Sequence, residues 1–95
     1  MTDGQIILYT TANIIHKDNI KSYEDVRSTL GGSPEVIHTM RSSGTEMICV
    51  GRQFAQLSGL DINQNLSRQI HKTVFGPVIV LPTDVWNIII EGKTQ

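Results

Sequence analysis

The chain has 95 residues, of which 39% are hydrophobic and 18% are charged, and its net charge is -1 because eight Lys and Arg residues face nine Asp and Glu residues. This length and composition are typical of one small globular domain, whose modest core leaves room for completion by a second copy. The charge balance gives no basic excess, so we expect no duplex nucleic acid as a partner.

The single cysteine and the short apolar runs exclude further kinds of site and further classes of protein. Cys49 is the only cysteine, which excludes an intrachain disulfide and a cysteine-rich zinc site. The apolar runs are shorter than the roughly 18–20 residues that a membrane span needs, and the first residues lack the pattern of a secretory signal. We therefore expect a cytoplasmic protein with no membrane partner.

The first third of the chain predicts a β-hairpin followed by a helix. Residues 5–10 (QIILYT) are β-branched and aromatic and predict a strand, and residues 13–19 predict a second strand that turns back on it. Residues 22–30 (SYEDVRSTL) predict a helix. Ser22 is a favoured N-cap residue, Asp25 follows three residues later, and the apolar residues recur at helical spacing.

The double glycine at residues 31–32 separates this helix from a second predicted hairpin. It indicates a helix stop, because a helix C-terminus presents carbonyl groups and is a poor cradle for phosphate. Residues 34–40 alternate as a strand whose even-numbered residues share one face, and residues 41–44 form a polar turn. Residues 45–50 predict an apolar strand in the interior of the sheet, whereas residues 51–60 are ambiguous between a turn and a short helix.

The last third predicts a helix and two strands. Asn63 is a favoured N-cap residue for a helix over residues 64–74, and residues 76–82 (GPVIVLP) predict a buried strand. Residues 84–90 (DVWNIII) are β-branched and aromatic, and we interpret them as a further strand. A short helix that opens at Thr83 is the alternative.

Together these elements predict an α+β fold, in which a largely antiparallel β-sheet carries two short helices packed on one face. We expect a single domain over residues 1–95. Trp86 and the three isoleucines after it form a large apolar group that either completes the core or forms an interface, so we also expect a homo-oligomer.

Residues 22–82 present a set of motifs in a recognisable order. SYEDVRSTLGG comes first, EVIHTM and a strand follow, and GLDINQNLS and FGPVIVLP complete the order. In this order the chain resembles an uncharacterised domain family of phages, plasmids and other mobile elements. The resemblance implies an α+β fold and a phage or mobile-element origin, and it supplies no catalytic residues.

The chain departs from that family after the central strand. Members of the family often have an acidic stretch there, whereas this chain has GRQFAQ, with Arg52 and Gln53 in place of acids. The substitution makes the loop cationic and favours an anionic partner.

The residue types that carry catalysis or bind metals are not arranged for either role. Cys49 lies in an apolar run, where burial raises the pKa of a thiol and makes it inert. His16, His38 and His71 lack the spacing of metal ligands. We therefore predict a protein that is not an enzyme and that has no cofactor and no metal.

Polar loops offer the best candidates for a ligand site. The turn RSSGT, residues 41–45, combines a guanidinium group, three hydroxyl groups and a glycine amide, which suit an anion. As the alternative, the same residues are a polar hairpin tip without a function. The predicted ligand-binding residues are Arg41, Ser43, Thr45, Arg52, Gln53 and Asn63.

The resemblance and these loops predict a small phage or mobile-element binding protein. It would act as an anti-defence sponge in the cytoplasm of the host cell, sequestering an anionic small molecule such as a cyclic nucleotide immune signal. Arginines and backbone amides would hold the phosphates, and aromatic or apolar side chains would hold the base. The alternative is a protein–protein inhibitor or accessory domain that blocks a host protein through a sheet edge or the Trp86 patch, without a small ligand.

Overall fold

The structure, a computed structural model, describes residues 6–17 and 20–93. Its elements are, in chain order, β1 (Ile6–Tyr9), β2 (Ile14–Lys17), α1 (Tyr23–Leu30), β3 (Pro34–Ser42), β4 (Thr45–Arg52), α2 (Gln64–Ile70), β5 (Val78–Pro82) and α3 (Thr83–Lys93). The strands of these residues form one antiparallel sheet in the order β2-β1-β5-β4-β3. The predicted α+β fold with an antiparallel sheet is thereby confirmed, while the predicted strand positions at residues 5, 18 and 19 lie outside the described residues.

The two faces of the sheet bury separate apolar clusters, because successive side chains of a strand point to opposite faces. One face, which we call the α1/α3 face, packs against α1 and α3. Its buried residues are Ile6, Leu8, Ile20, Val26, Leu30, Ile48, Val50, Ile79, Leu81, Trp86 and Ile89. The other, which we call the α2 face, packs against α2. Its buried residues are Tyr9, Met47, Cys49, Leu66, Val74, Val78 and Val80.

Two short helices do share one face, as predicted, but the pair differs from the expected one. The sequence suggested α1 and the helix after Asn63, whereas the structure pairs α1 with α3 and places α2 on the opposite face. The difference arises because residues 84–90 are helical. The interpretation of these residues as a strand is wrong, and the alternative of a helix that opens at Thr83 is confirmed.

The apolar residues of α3 explain why a helix forms there. Trp86 and Ile89 are both buried in the α1/α3 cluster, and Val85 and Ile90 pack against it. A helix brings residues three and four apart onto one side, whereas a strand would direct Trp86 and Ile89 to opposite faces. Trp86 is buried in the core, so its side chain is not part of an exposed patch.

Helix α1 begins and ends where the sequence predicts. The Ser22 hydroxyl accepts a hydrogen bond from the Asp25 amide, and the Asp25 carboxylate accepts one from the Ser22 amide, which completes a capping box. The Lys21 amide also donates to Asp25, and this hydrogen bond is the main cause that lowers the pKa of the carboxyl group. Gly31 ends the helix in the left-handed conformation, with φ of 80°.

Strand β3 forms one edge of the sheet and contains a β-bulge. Val36 pairs with Val50 and His38 pairs with Cys49, so Ile37 is the extra residue between two successive pairs. Because paired residues share a face, Val36 lies on the α1/α3 face and His38 on the α2 face. The expectation that the even-numbered residues of this strand share one face is therefore wrong.

Candidate functional site

A groove of about 490 Å³ opens where the beginning of β3 meets the end of β4. We call it the β3/β4 groove. One part of the groove is lined by residues 35–37 of β3 and residues 51–52 of β4. The rest is lined by residues 54–57 and 72–75. Its volume lies in the range of roughly 300–1,000 Å³ that is common for small-molecule sites.

Phe54 lines this groove in an unusual backbone conformation. Its φ is 59°, in the left-handed region that residues other than glycine seldom adopt, and its side chain is 68% exposed. Three backbone hydrogen bonds fix the turn that follows. They run from the Ser58 amide to the Phe54 carbonyl at 2.8 Å, from the Gly59 amide to the Gln56 carbonyl at 3.1 Å, and from the Leu60 amide to the Ala55 carbonyl at 3.2 Å. Ala55 is buried, so the turn is anchored while the Phe54 ring faces solvent.

Further apolar side chains extend the surface that Phe54 offers. Leu57 is 84% exposed and Val36 is 47% exposed, and both line the groove. Ile37 also lines it while packing against the cluster of the α2 face. Exposed apolar residues that gather in one groove indicate a binding surface, whereas single exposed apolar residues do not.

Lys72 brings a positive charge to the groove. Its Nζ donates a hydrogen bond of 2.8 Å to the carbonyl oxygen of Ile37, the bulged residue of β3. The preceding residue, His71, ends α2 in the left-handed conformation with φ of 55°. An ammonium group has three donors, so Lys72 keeps two for a ligand while the Ile37 carbonyl fixes its position.

Arg52 lines the groove at the end of β4, and Gln53 follows it without lining the groove. Arg52 pairs with Pro34, the first residue of β3. Its guanidinium group lies against Gly32, since Arg52 Nε is 2.8 Å from the position that a Cβ would take there. The Gln53 amide donates to the Ser33 carbonyl at 2.8 Å, and the Gln53 side-chain amide donates to the Pro34 carbonyl at 3.5 Å. Both residues therefore hold the end of β4 to the beginning of β3.

The RSSGT turn lies at the opposite end of the same hairpin. The β3–β4 ladder runs from the pair of Pro34 and Arg52 to the pair of Ser42 and Thr45. At about 3.4 Å per residue, roughly 24 Å separates the two ends. The structure thus divides the predicted ligand-binding residues, with Arg41, Ser43 and Thr45 at the tip and Arg52 and Gln53 at the groove.

The geometry of the tip is that of a tight hairpin turn. Ser43 and Gly44 have φ values of 52° and 82°, as a two-residue type I′ turn requires. Arg41 Nη1 donates a hydrogen bond of 3.2 Å to the Gly44 carbonyl. All five residues of RSSGT are exposed to solvent, and the turn accounts for the positive φ values without a ligand.

Asn63 is fully buried, and its side chain is part of the fold. Its Nδ2 donates hydrogen bonds of 2.8 Å to the carbonyl oxygens of Tyr9 and Gly76. Its Oδ1 accepts a hydrogen bond from the Leu66 amide at 3.2 Å, which confirms the predicted N-cap of α2. Both Nδ2 protons are used in these contacts, so Asn63 has no side-chain donor left for a ligand.

Sequence reasoning did not single out Phe54, Leu57 or Lys72. A signal for the first two was available, because large apolar residues in the glycine-flanked segment 51–59 are unusual for an exposed turn. No comparable signal exists for Lys72. It contacts a residue that is 35 positions away in the sequence, and only the folded chain brings the two together.

Cys49 lies on the α2 face and has no contact with solvent. Its Sγ is 3.8 Å from Sδ of Met40. Burial raises the pKa of the thiol to about 11, and the positive charge of Lys72 offsets part of that increase. The thiol is therefore protonated and unreactive at neutral pH, as the sequence predicts.

Two further observations concern metals and membranes. Among the described residues, no group of three or more His, Cys, Asp and Glu side chains converges in a way that would hold a metal ion. In the same part of the chain, every helix falls short of the length and hydrophobicity needed to cross a bilayer.

No protein-family model, curated protein or solved structure matches this chain. A function is therefore inferred from the β3/β4 groove and the residues that line it.

Proposed function

We propose that the protein is a small binding protein whose β3/β4 groove holds an anionic small molecule with a planar ring, such as a nucleotide. The observation that carries the proposal is the presence of Lys72 and the exposed Phe54 in one groove. The two side chains suit the two parts of a nucleotide, because an ammonium group attracts phosphate and an aromatic ring stacks on a base.

The charges of the groove support an anionic ligand. Its charged lining residues are Arg52, Lys72 and Glu35, which gives one more positive than negative charge. Lys72 is the better placed of the two cations, because the Ile37 carbonyl fixes its ammonium group. The guanidinium group of Arg52 lies against Gly32, at the end of α1, and supports the positive potential from there.

The setting we propose is a phage or mobile element, on the basis of the resemblance of residues 22–82. In that setting the protein acts as an anti-defence sponge in the host cytoplasm. It holds a nucleotide immune signal stoichiometrically and does not convert it.

Self-association is part of the proposal. Exposed apolar side chains outside the groove support it, namely Ile14 and Ile15 on the edge strand β2 and Ile88 on α3. Edge strands with exposed apolar residues readily pair with another chain.

A second candidate function is inhibition of a host protein without a small ligand. The observation that favours it is the exposure of Leu57 and Phe54 next to the edge strand β3. A partner strand that pairs with β3 would place its side chains beside these two residues.

A thermal-shift experiment separates the two candidates. The purified protein is incubated with cyclic and linear nucleotides, and its melting temperature and native mass are measured. A ligand that binds only the folded state stabilises it by about 2.7 kcal/mol at a hundred times its Kd, so a binding nucleotide raises the melting temperature and adds its own mass.

Lys72→Ala, which removes the fixed cation of the groove, tests whether the binding occurs there. Arg68→Ala is the matched control, because Arg68 is an exposed cation on α2 that does not line the groove. We expect the first variant to lose most of the shift and the second to keep it. No shift with any nucleotide contradicts the proposal, and recovery of a chemically altered nucleotide contradicts sequestration.

A further inference from the structure

We infer that Phe54 is the specificity-determining residue of the groove, and that its ring stacks on the planar ring of the ligand. This inference rests on the proposed function and deepens it. It makes stacking on Phe54 the contact that selects a ligand with a planar ring over phosphate compounds without one.

The backbone of Phe54 supplies the first argument. In the left-handed conformation a Cβ comes close to the following carbonyl oxygen, so glycine is the favoured residue there. The same loop follows this rule at Gly59, which has φ of 80°. Glycine would therefore serve the fold better than phenylalanine at position 54.

The other residues with a positive φ that are not glycine, among those that the structure describes, show that Phe54 is a special case. Ser43 lies in a two-residue hairpin turn and His71 ends a helix, and both positions commonly require a positive φ. The Phe54 side chain is bulky, and with 68% of it exposed it gains little from burial that would offset the strain. A strained, exposed aromatic residue in a groove points to a contact made with a ligand.

The charge of the groove identifies the occupant. A ligand without charge would leave the fixed ammonium group of Lys72 unused, and a bare phosphate would leave the ring of Phe54 unused. A nucleotide uses both, and the groove volume of about 490 Å³ is sufficient for one. Stacking on an aromatic side chain accepts any base, so Phe54 selects for a ring and leaves the choice of base to other contacts.

Three variants of Phe54 test the inference against the nucleotide panel. Phe54→Leu keeps a large apolar side chain but removes the aromatic ring, Phe54→Tyr keeps the ring, and Phe54→Gly removes both the ring and the strain. Affinity is measured by calorimetry, and stability is measured by thermal melting without ligand. Inorganic phosphate and ribose 5-phosphate are the control ligands, because neither has a planar aromatic ring.

We expect Phe54→Leu and Phe54→Gly to weaken nucleotide binding by roughly tenfold or more, and Phe54→Tyr to bind as the wild type does. We also expect Phe54→Gly to melt at a higher temperature than the wild type, because strain is removed. Binding of the two control ligands should be equal in all four proteins. If nucleotides bind the wild type, Phe54→Leu and Phe54→Gly with equal affinity, this inference fails, while nucleotide binding in the groove beside Lys72 stands. If no nucleotide binds the wild type, both fail.

Discussion

The side chain of Arg52 lies across Gly32, with its Nε, Cδ and Cγ atoms 2.8, 3.1 and 3.1 Å from the point where a Cβ on that glycine would stand. The two glycines at the end of α1 therefore have different roles. Gly31 ends the helix in the left-handed conformation, as the sequence predicts. Gly32 is needed because a neighbouring side chain occupies the space of its Cβ.

The contact between Arg52 and Gly32 can be tested by adding a Cβ at position 32. Gly32→Ala forces the middle of the Arg52 side chain to move, and we expect it to lower the free energy of unfolding by about 1 kcal/mol. In an Arg52→Ala background the space is free, and the same substitution becomes neutral or stabilising because alanine restricts the unfolded chain. Chemical denaturation of the two single variants and the double variant measures the coupling. Equal effects of Gly32→Ala in both backgrounds would show that the contact is absent.

Gly31 differs from Gly32 because its backbone conformation, and not a neighbouring side chain, disfavours other residues. The nearest atom to a Cβ at this position is Arg52 Nη1 at 3.7 Å, so space is available while φ is 80°. Gly31→Val should lower the free energy of unfolding by about 1–2 kcal/mol and leave ligand affinity unchanged. Gly92→Ala is the control, because that glycine lies in α3 with open space around it, and we expect alanine to stabilise the helix there by up to ~1 kcal/mol. Unchanged stability together with lost ligand binding in Gly31→Val would assign the double glycine to the ligand site.

The side chain of Asn63 links α2 to β1 and to the turn before β5. Asn63→Ala removes the N-cap of α2 and leaves the carbonyl oxygens of Tyr9 and Gly76 without this donor. We expect a loss of about 3 kcal/mol in the free energy of unfolding. Asn65→Ala, which removes one hydrogen bond of 3.2 Å to Thr10, should lose less than ~1 kcal/mol. Equal losses in the two variants would contradict the structural role of Asn63.

The raised pKa of Cys49 predicts that the free energy of unfolding depends on pH in the alkaline range. The pKa of the folded thiol is about 11, whereas its usual value is 9.0. Above pH 9 the unfolded chain loses this proton and the folded chain keeps it, so the free energy of unfolding falls as the pH rises from about 9 to about 11. Each pKa unit corresponds to about 1.4 kcal/mol, which gives a loss of about 2–3 kcal/mol over this range.

The comparison that isolates this effect is between wild type and Cys49→Ala. Other groups titrate in the same range, but they do so in both proteins, so the difference between the two pH profiles belongs to the thiol. We expect the wild type to lose stability relative to the variant above about pH 9. Parallel profiles would mean that the thiol ionises as easily in the folded chain as in the unfolded one.

Local signals in the sequence were sufficient for most of the elements, because their causes are local. The capping box of Ser22 and Asp25 and the left-handed Gly31 depend on neighbours within four residues. The error at α3 has a different cause. The isoleucines after Trp86 favour a strand on their own, and the helix forms because Trp86 and Ile89 are buried together against the sheet.

The candidate site was only partly predictable from the sequence. The cationic GRQ segment leads into the groove, so the sequence indicates one of the segments that line it, at Arg52. The hydrogen bond from Lys72 to Ile37 depends on a bulge in β3 and on the end of α2, and no local pattern brings the two residues together. The polar composition of the RSSGT turn predicts a ligand site, but the same residues are also those that a tight hairpin turn needs.

A nuclear magnetic resonance titration shows whether a nucleotide binds in the β3/β4 groove. The isotope-labelled protein is titrated with the cyclic and linear nucleotides, and the backbone amide shifts are followed for every residue. We expect shifts that concentrate at residues 35–37, 51–57 and 72–75, with residues 41–45 unchanged. Shifts confined to residues 41–45, or no shift with any nucleotide, would contradict this expectation.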